Sequence, residues 1–200
     1  SCSVKSEHVI SAPDIKSIYE VPLNFERDNL GNTILELLKS QQKSRKANFA
    51  KWRSFVSKVN AKKPKIKIAV VGKYFDTGDF VLSDAYISVI EAIKFSSYKL
   101  GVEPEIHWLN AKDFEKKSKT NELKKYHGVL VPGGFGERGI DGKLNAIRYV
   151  RENKIPYFGL CYGMQLMVIE YARNALGIKG AQTHEIDPKA KDLVVDIMPD

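Results

Sequence analysis

The stretch Pro156-Tyr157-Phe158-Gly159-Leu160-Cys161-Tyr162-Gly163-Met164-Gln165 puts a cysteine between two glycines at the end of an apolar run. Its form is G-x-C-x-G, placed where a strand should give way to a helix. That is the cysteine version of a nucleophile elbow. A sharp strand-to-helix turn strains the nucleophile's backbone, and small flanking residues permit the strain. The thiol then projects at the edge of a sheet, and a helix that starts beside it favours the thiolate. The plainer alternative is a structural cysteine, since free cysteines are often buried. The strand-turn-helix context favours Cys161 as a nucleophile.

A second candidate is Pro132-Gly133-Gly134-Phe135-Gly136-Glu137-Arg138-Gly139, with four glycines in eight residues after an apolar strand. Such a loop brings backbone N–H groups close to a ligand. Phosphate binding is one use, but the loop is not a G-x-x-x-x-G-K-[ST] motif and fits G-x-G-x-x-G only loosely. An oxyanion hole is another: N–H donors aimed at the oxygen that turns negative when a nucleophile attacks a carbonyl. Beside a cysteine elbow the oxyanion hole is the better reading, with a loop that merely turns as the plain alternative.

Acyl transfer at a cysteine also calls for a base. The four histidines fit that role poorly. His8 lies in a short N-terminal piece. His107 sits within a strand, and His127 precedes a strand at the opposite end of the sheet. His184 follows the far end of the helix that starts at Cys161. Its neighbour Glu185 could instead receive a substrate amine or ammonium.

These residues need elements to hold them. Lys65–Gly72 reads as a buried parallel strand, rich in β-branched residues. A helix follows over 83–101, with Ser83 as its N-cap and Gly101 just past its end. Strand 103–110, a polar helical crossover over 113–125, and a strand over 127–134 come next. A helix over 141–153, a fourth strand over 154–161 and a helix over 163–177 complete the series. This alternation predicts an α/β fold, a doubly wound, mostly parallel sheet with helices on both faces. Ligands in such sheets bind beyond the carboxyl ends of the strands, where both candidate loops fall.

Upstream, residues 1–38 hold too little apolar surface to fold alone. They carry turns at Pro13 and at Val21-Pro22, then a short helix starting at Thr33. Phe49, Trp52, Phe55, Val56 and Val59 recur at helical spacing, which predicts a helix from about 44 to 60.

The chain of 200 residues has a formal net charge of +8. Nine Lys or Arg and no Asp or Glu fall between Lys39 and Lys63, and the rest is close to neutral. The basicity therefore belongs to one segment. A basic linker helix explains it, and a nucleic-acid or membrane-surface patch is the sharper alternative. No nucleic-acid-binding motif supports that alternative. The two cysteines, Cys2 and Cys161, cannot build a disulfide framework, and low cysteine use fits a reducing, cytoplasmic compartment. No apolar run approaches the ~20 residues needed to span a bilayer, and the N-terminus lacks the apolar region of a signal peptide.

Taken together, "VPGGFGERGIDGK", "AIRYVRENKIPYFGLCYGMQ" and "EYARNALG" resemble the glutamine amidotransferase domain of the CTP synthase family. "VGKYFDTGDFVLSDAYISVIEAI" is similar to that domain's first strand, loop and helix, and "DIKSIYEVPL" to the end of the family's synthetase domain. The resemblance implies three parts: residues 1–38 as the tail of a synthetase domain, 39–64 as a basic helical linker, and 65–200 as a flavodoxin-like, three-layer, class I amidotransferase domain. It implies Cys161 as the nucleophile that forms a glutamyl thioester. Gly134 and Tyr162 would supply N–H groups to the oxyanion. Phe135, Tyr162, Gly163, Met164 and Gln165 would line the glutamine pocket, and Glu185 would hold the α-ammonium. Tyr162 stands where the family often has Leu. Asp14 and Ile15 would edge an ATP site, with Pro13 replacing the usual Lys or His.

The family uses ATP with Mg, bound mainly by the synthetase domain, to convert UTP to CTP with ammonia from L-glutamine. The resemblance further implies a cytoplasmic homotetramer with GTP activation and CTP feedback. No metal site is expected in the amidotransferase part, and neither nucleic acid nor membrane is an expected partner. The family's catalytic His and Glu fall beyond Asp200, so these 200 residues alone are expected to hydrolyse glutamine poorly. A catalytically incomplete amidotransferase-like scaffold or interaction domain is the alternative reading.

Overall fold

The computed structural model describes residues 4–40, 48–72, 86–134 and 139–198. Cys2, Ser83, Phe135 and the segments 73–85 and 135–138 lie outside the described residues. The chain divides into two compact units, Ser1–Lys63 and Pro64–Asp200.

Among the described residues, the first unit holds three α-helices: α1 (Val21–Arg27), α2 (Leu30–Leu37) and α3 (Ala50–Asn60). Two expectations are corrected here. Val21-Pro22 opens α1 rather than making a separate turn, because proline is well suited to the first helical turn, where its missing N–H costs nothing. Helix α2 begins at Leu30, after Asn29 in the left-handed conformation, and not at Thr33. The Thr33 hydroxyl donates back to the Asn29 carbonyl at 3.2 Å, which satisfies it inside the helix. Helix α3 carries the expected aromatic stripe. Trp52 and Phe55 pack with Tyr19, and the Trp52 indole N–H donates to the Tyr19 carbonyl at 2.8 Å.

The second unit is built on a four-stranded parallel sheet of order β2-β1-β3-β4. The strands are β1 (Lys65–Gly72), β2 (Glu103–Asn110), β3 (Gly128–Val131) and β4 (Tyr157–Gly159). Helix α4 (Ile87–Lys99) joins β1 to β2, and Gly101, at φ +77°, ends it. Helix α5 (Ile140–Glu152) joins β3 to β4, and α6 (Tyr162–Asn174) leaves β4. The crossover expected over 113–125 consists of two 3-10 segments, Ala111–Glu115 and Lys117–Lys125. They pack under α5 through the buried Phe114, Thr120 and Leu123.

The core is the apolar layer between this sheet and α5 and α6. Val131, Ile147, Leu166 and Ile169 are fully buried within it, and each such side chain is worth about 1.5–3 kcal/mol relative to exposure. The two helices are also clamped by charge. Arg151 on α5 donates both Nε and Nη2 to the Glu170 carboxylate on α6, each at 2.8 Å. A feature that sequence periodicity missed follows α6. Strands β5 (Ala181–Thr183) and β6 (Asp192–Val195) form a separate parallel pair with an irregular register at Gln182/Thr183.

Candidate active site: a cysteine elbow facing a glycine loop

The strand order 2-1-3-4 sets β3 and β4 side by side, so the segments leaving their carboxyl ends meet. Pro132-Gly133-Gly134 leaves β3, and Leu160-Cys161 leaves β4. The meeting is tight. A methyl group added at Gly133 would sit 3.2 Å from Cys161 Cβ and 3.6 Å from its Sγ. Gly134 has φ +145°, a backbone that side chains disfavour.

Cys161 is the N-cap of α6 and has φ 50° and ψ −113°. A non-glycine residue held there stores of order 1–3 kcal/mol, and such strain persists only where the surroundings over-determine it. The surroundings are visible. Leu160 N–H donates to the Val131 carbonyl at 2.9 Å, fixing the strand end to β3. Gly163 N–H donates to the Leu160 carbonyl, and Met164 and Gln165 N–H groups to the Cys161 carbonyl. The two glycines that flank the cysteine are required by space. A Cβ on Gly163 would fall 2.0 Å from the Val131 carbonyl oxygen, and one on Gly159 would fall 2.6 Å from the Gly163 backbone. The outcome is an exposed thiol on a rigid turn.

Two side chains that the sequence did not single out brace this turn. The Tyr157 hydroxyl donates to the Gly163 carbonyl at 2.7 Å. Burial pushes its phenol well above the usual tyrosine range, so it stays a neutral donor. Lys143 on α5 is 1% exposed, and its Nζ lies 5.5 Å from the centre of the Tyr162 ring. Tyr162 itself is 2% exposed and packs in the core. Its ring is thus part of the core, and the role expected of it at the site is one for its backbone N–H.

The remaining sequence candidates are placed as follows. Met164, 49% exposed, stands on the open side of the first turn of α6. Gln165, half-buried on the same turn, accepts a hydrogen bond from the Thr183 hydroxyl at 3.1 Å. Glu185 is exposed, and its N–H reaches back to the same hydroxyl at 3.4 Å. The β5 segment thus ties Glu185 to the helix that begins at Cys161. Asp14 is exposed and Ile15 half-buried in an irregular segment of the first unit.

Three histidines of the second unit are placed as follows. His127 N–H donates to the Lys67 carbonyl, and its Nδ1 accepts from Lys67 N–H at 3.0 Å, near the start of β1. His107 packs edge-on against Tyr126. His184 N–H donates to the Val195 carbonyl, and its Nδ1 lies 3.0 Å from Asp196 Oδ1, off the line of a hydrogen bond. Among the described residues, no cluster of three or more His, Cys, Asp or Glu is arranged to hold a metal. No described helix is long and apolar enough to cross a membrane.

A large apolar cleft is the default place to look for a site. One of about 410 Å³ lies between α4 and the sheet, lined by residues including Ile68, Val89, Ile93, Val129 and Pro156. Its lining supplies no carboxylate, histidine, cysteine or lysine.

The family model for class-I glutamine amidotransferases matches residues 81–196. The CTP synthase of Lactococcus lactis subsp. cremoris is 43% identical over all of this chain, which covers 36% of that protein. The CTP synthase of Caldanaerobacter subterraneus subsp. tengcongensis is 44% identical with the same coverage. The chain thus spans about a third of the length of these relatives. A solved structure of the Trypanosoma brucei CTPS glutaminase domain with bound acivicin superposes with a TM-score of 0.59 at 37% identity. That match covers 66% of this chain and 50% of the other. With the parallel sheet, these likenesses establish that the chain belongs to the class-I glutamine amidotransferases.

Proposed function

We propose that Cys161 is the nucleophile of a glutaminase that feeds ammonia to the synthesis of CTP. The observation that carries this reading is the strained, glycine-flanked Cys161, set so close to Gly133 that a methyl added there would lie 3.2 Å from its Cβ. The thiolate adds to the side-chain amide carbon of L-glutamine. The amide oxygen becomes an oxyanion, stabilised by the backbone N–H groups of Gly134 and Tyr162, in the manner of preorganised donors. The C–N bond then breaks. The proton given up by the thiol goes to the departing nitrogen, ammonia leaves, and a glutamyl thioester remains on Cys161. Water hydrolyses the thioester to glutamate and restores the thiol. Met164 and Gln165 border the substrate, with Phe135 from the glycine loop, and Glu185 receives its α-ammonium.

The likeness to CTP synthases supports the rest of the reading. In the natural polypeptide, ATP with Mg activates UTP, and the ammonia replaces an oxygen to give CTP. That makes the protein a ligase of pyrimidine biosynthesis with glutamine as amido donor. Asp14 and Ile15 are the residues of this chain proposed to edge the ATP site. A cytoplasmic homotetramer regulated by GTP and CTP belongs to the same proposal. So does the division into a synthetase tail over 1–38, a linker over 39–64 and an amidotransferase domain from residue 65.

The test is covalent. Acivicin or another electrophilic glutamine analogue, applied to the natural polypeptide, is expected to modify Cys161, as mapped by peptide mass spectrometry. Cys161→Ala should abolish glutamine-dependent CTP formation and leave ammonia-dependent formation intact. Labelling elsewhere, or glutamine-dependent activity surviving in Cys161→Ala, overturns the reading.

A further inference from the structure

The Thr183 side chain ends β5 and is 1% exposed, yet its hydroxyl has two partners. Gln165 Oε1 lies 3.1 Å away and can only accept, so the single hydroxyl proton goes to it. A lone pair is then left for Glu185 N–H at 3.4 Å. The orientation of the hydroxyl is therefore fixed by its partners, and only a side chain that both donates and accepts can satisfy the two at once. The backbone around it is equally constrained. The Thr183 carbonyl accepts from Ile186 and Asp187 N–H at 3.0 and 3.1 Å, a tight turn that carries Glu185 on its outer side. Gln165 stands on the first turn of α6, one turn from the strained Cys161, while Glu185 lies in the turn that follows β5. Arg173 Nε–H also ties α6 to β5, at the Ala181 carbonyl 2.8 Å away, but Thr183 makes the bond at the helix's first turn.

The geometry points to Thr183 as a positioning residue for substrate binding, its hydroxyl setting Gln165 and Glu185 at a fixed separation so that they grip the amino-acid end of glutamine together. This inference rests on the glutaminase reading above and adds to it the device that joins the nucleophile's helix to the ammonium-binding residue. Thr183 does not touch the reacting atoms. Its loss should therefore weaken the grip on substrate and spare the chemical step at Cys161. Misplacing binding groups that act equally on ground and transition states raises KM with little change in kcat.

The experiment uses the natural polypeptide and measures glutamine hydrolysis in Thr183→Val and Thr183→Ser. Valine keeps the shape and loses the hydroxyl, whereas serine keeps the hydroxyl. Thr183→Val is expected to raise KM for glutamine roughly tenfold, in line with the loss of hydrogen bonds at a binding site, with kcat within about twofold. Thr183→Ser should stay within about twofold of the parent in both constants, and ammonia-dependent activity should be the same in all three. An unchanged KM in Thr183→Val overturns the inference, as does a Thr183→Ser variant as impaired as the valine one. If Thr183→Val does not fold, Thr183→Ala is judged by the same criteria. Glutamine hydrolysis that persists in Cys161→Ala would instead sink the glutaminase reading, so the two failures are told apart by which variant misbehaves.

Discussion

Replacing Gly163 by alanine gives the most direct measure of how far the elbow controls the thiol. The added methyl carbon would start 2.0 Å from the Val131 carbonyl oxygen, 2.9 Å from its carbon and 3.1 Å from its Cβ. Carbon–oxygen contacts close to about 3.3 Å at best, so something must yield by more than about 1 Å. Val131 is fully buried in the middle of the sheet and cannot be the part that moves. The first turn of α6 must back away, carrying Cys161 with it and straining the Tyr157 hydroxyl bond to the Gly163 carbonyl. Overpacking of this kind costs about 1–3 kcal/mol of stability. A displacement of about 1 Å at a reacting group costs about a hundredfold in rate, or about 2.7 kcal/mol of barrier. Gly163→Ala is therefore expected to fold with a lowered Tm and to lose about a hundredfold in the rate of labelling by an electrophilic glutamine analogue, a rate that also reports the position of the thiol. Gly31→Ala is the control: it lies in α2 with nothing within 4 Å of the new methyl, and should leave the labelling rate untouched. Wild-type labelling by a folded Gly163→Ala would refute the claim that the close approach to β3 positions the nucleophile.

Three further outcomes are expected. Glu170→Ala should destabilise the fold by about 3 kcal/mol, the low end for breaking a buried pair, because Arg151 keeps 23% of its side chain in water while the Glu170 side chain has none exposed; thermal denaturation measures it, and KM for glutamine should not move. Tyr157→Phe should remove an alkaline loss of stability. The buried phenol holds its proton at pH values where an unfolded tyrosine, near 10, releases it. The native state then binds more protons than the unfolded one, so stability is intact below about pH 10 and falls as pH rises beyond it; urea titrations between pH 8 and 11 should show the fall in the parent and a flatter profile in the variant. His184→Ala should keep nearly all glutamine hydrolysis of the natural polypeptide, since its ring faces Asp196 and its N–H serves β6; a collapse in kcat would make His184 the base.

What the sequence made legible was whatever local chemistry dictates. The β-branched run of β1, the Gly-x-Cys-x-Gly turn and the glycine-rich end of β3 all state their geometry in a few adjacent residues, and the parallel sheet then follows from the alternation of strands and helices. Errors arose where a residue's partner is distant or unusual. Thr33 reads as a helix start because its hydroxyl is a common cap, but Asn29 takes the turn in the left-handed conformation and Thr33 bonds back to it. The core position of the Tyr162 ring, with Lys143 Nζ over it, was not legible either, because it depends on how α6 packs against α5 after leaving the elbow. Lys143 was illegible for the same reason: charge predicts exposure, and only the packing of α5 against α6 buries it. The β5–β6 pair shows the limit most clearly. Three residues, Ala181–Thr183, carry no period that distinguishes a strand from a loop. Their meaning comes from what they are joined to: β6 on one side, and through Thr183 the first turn of α6 on the other. Sequence reasoning could nominate Glu185 as an ammonium ligand. The hydroxyl that holds it beside the nucleophile's helix emerges only when separated segments are brought together.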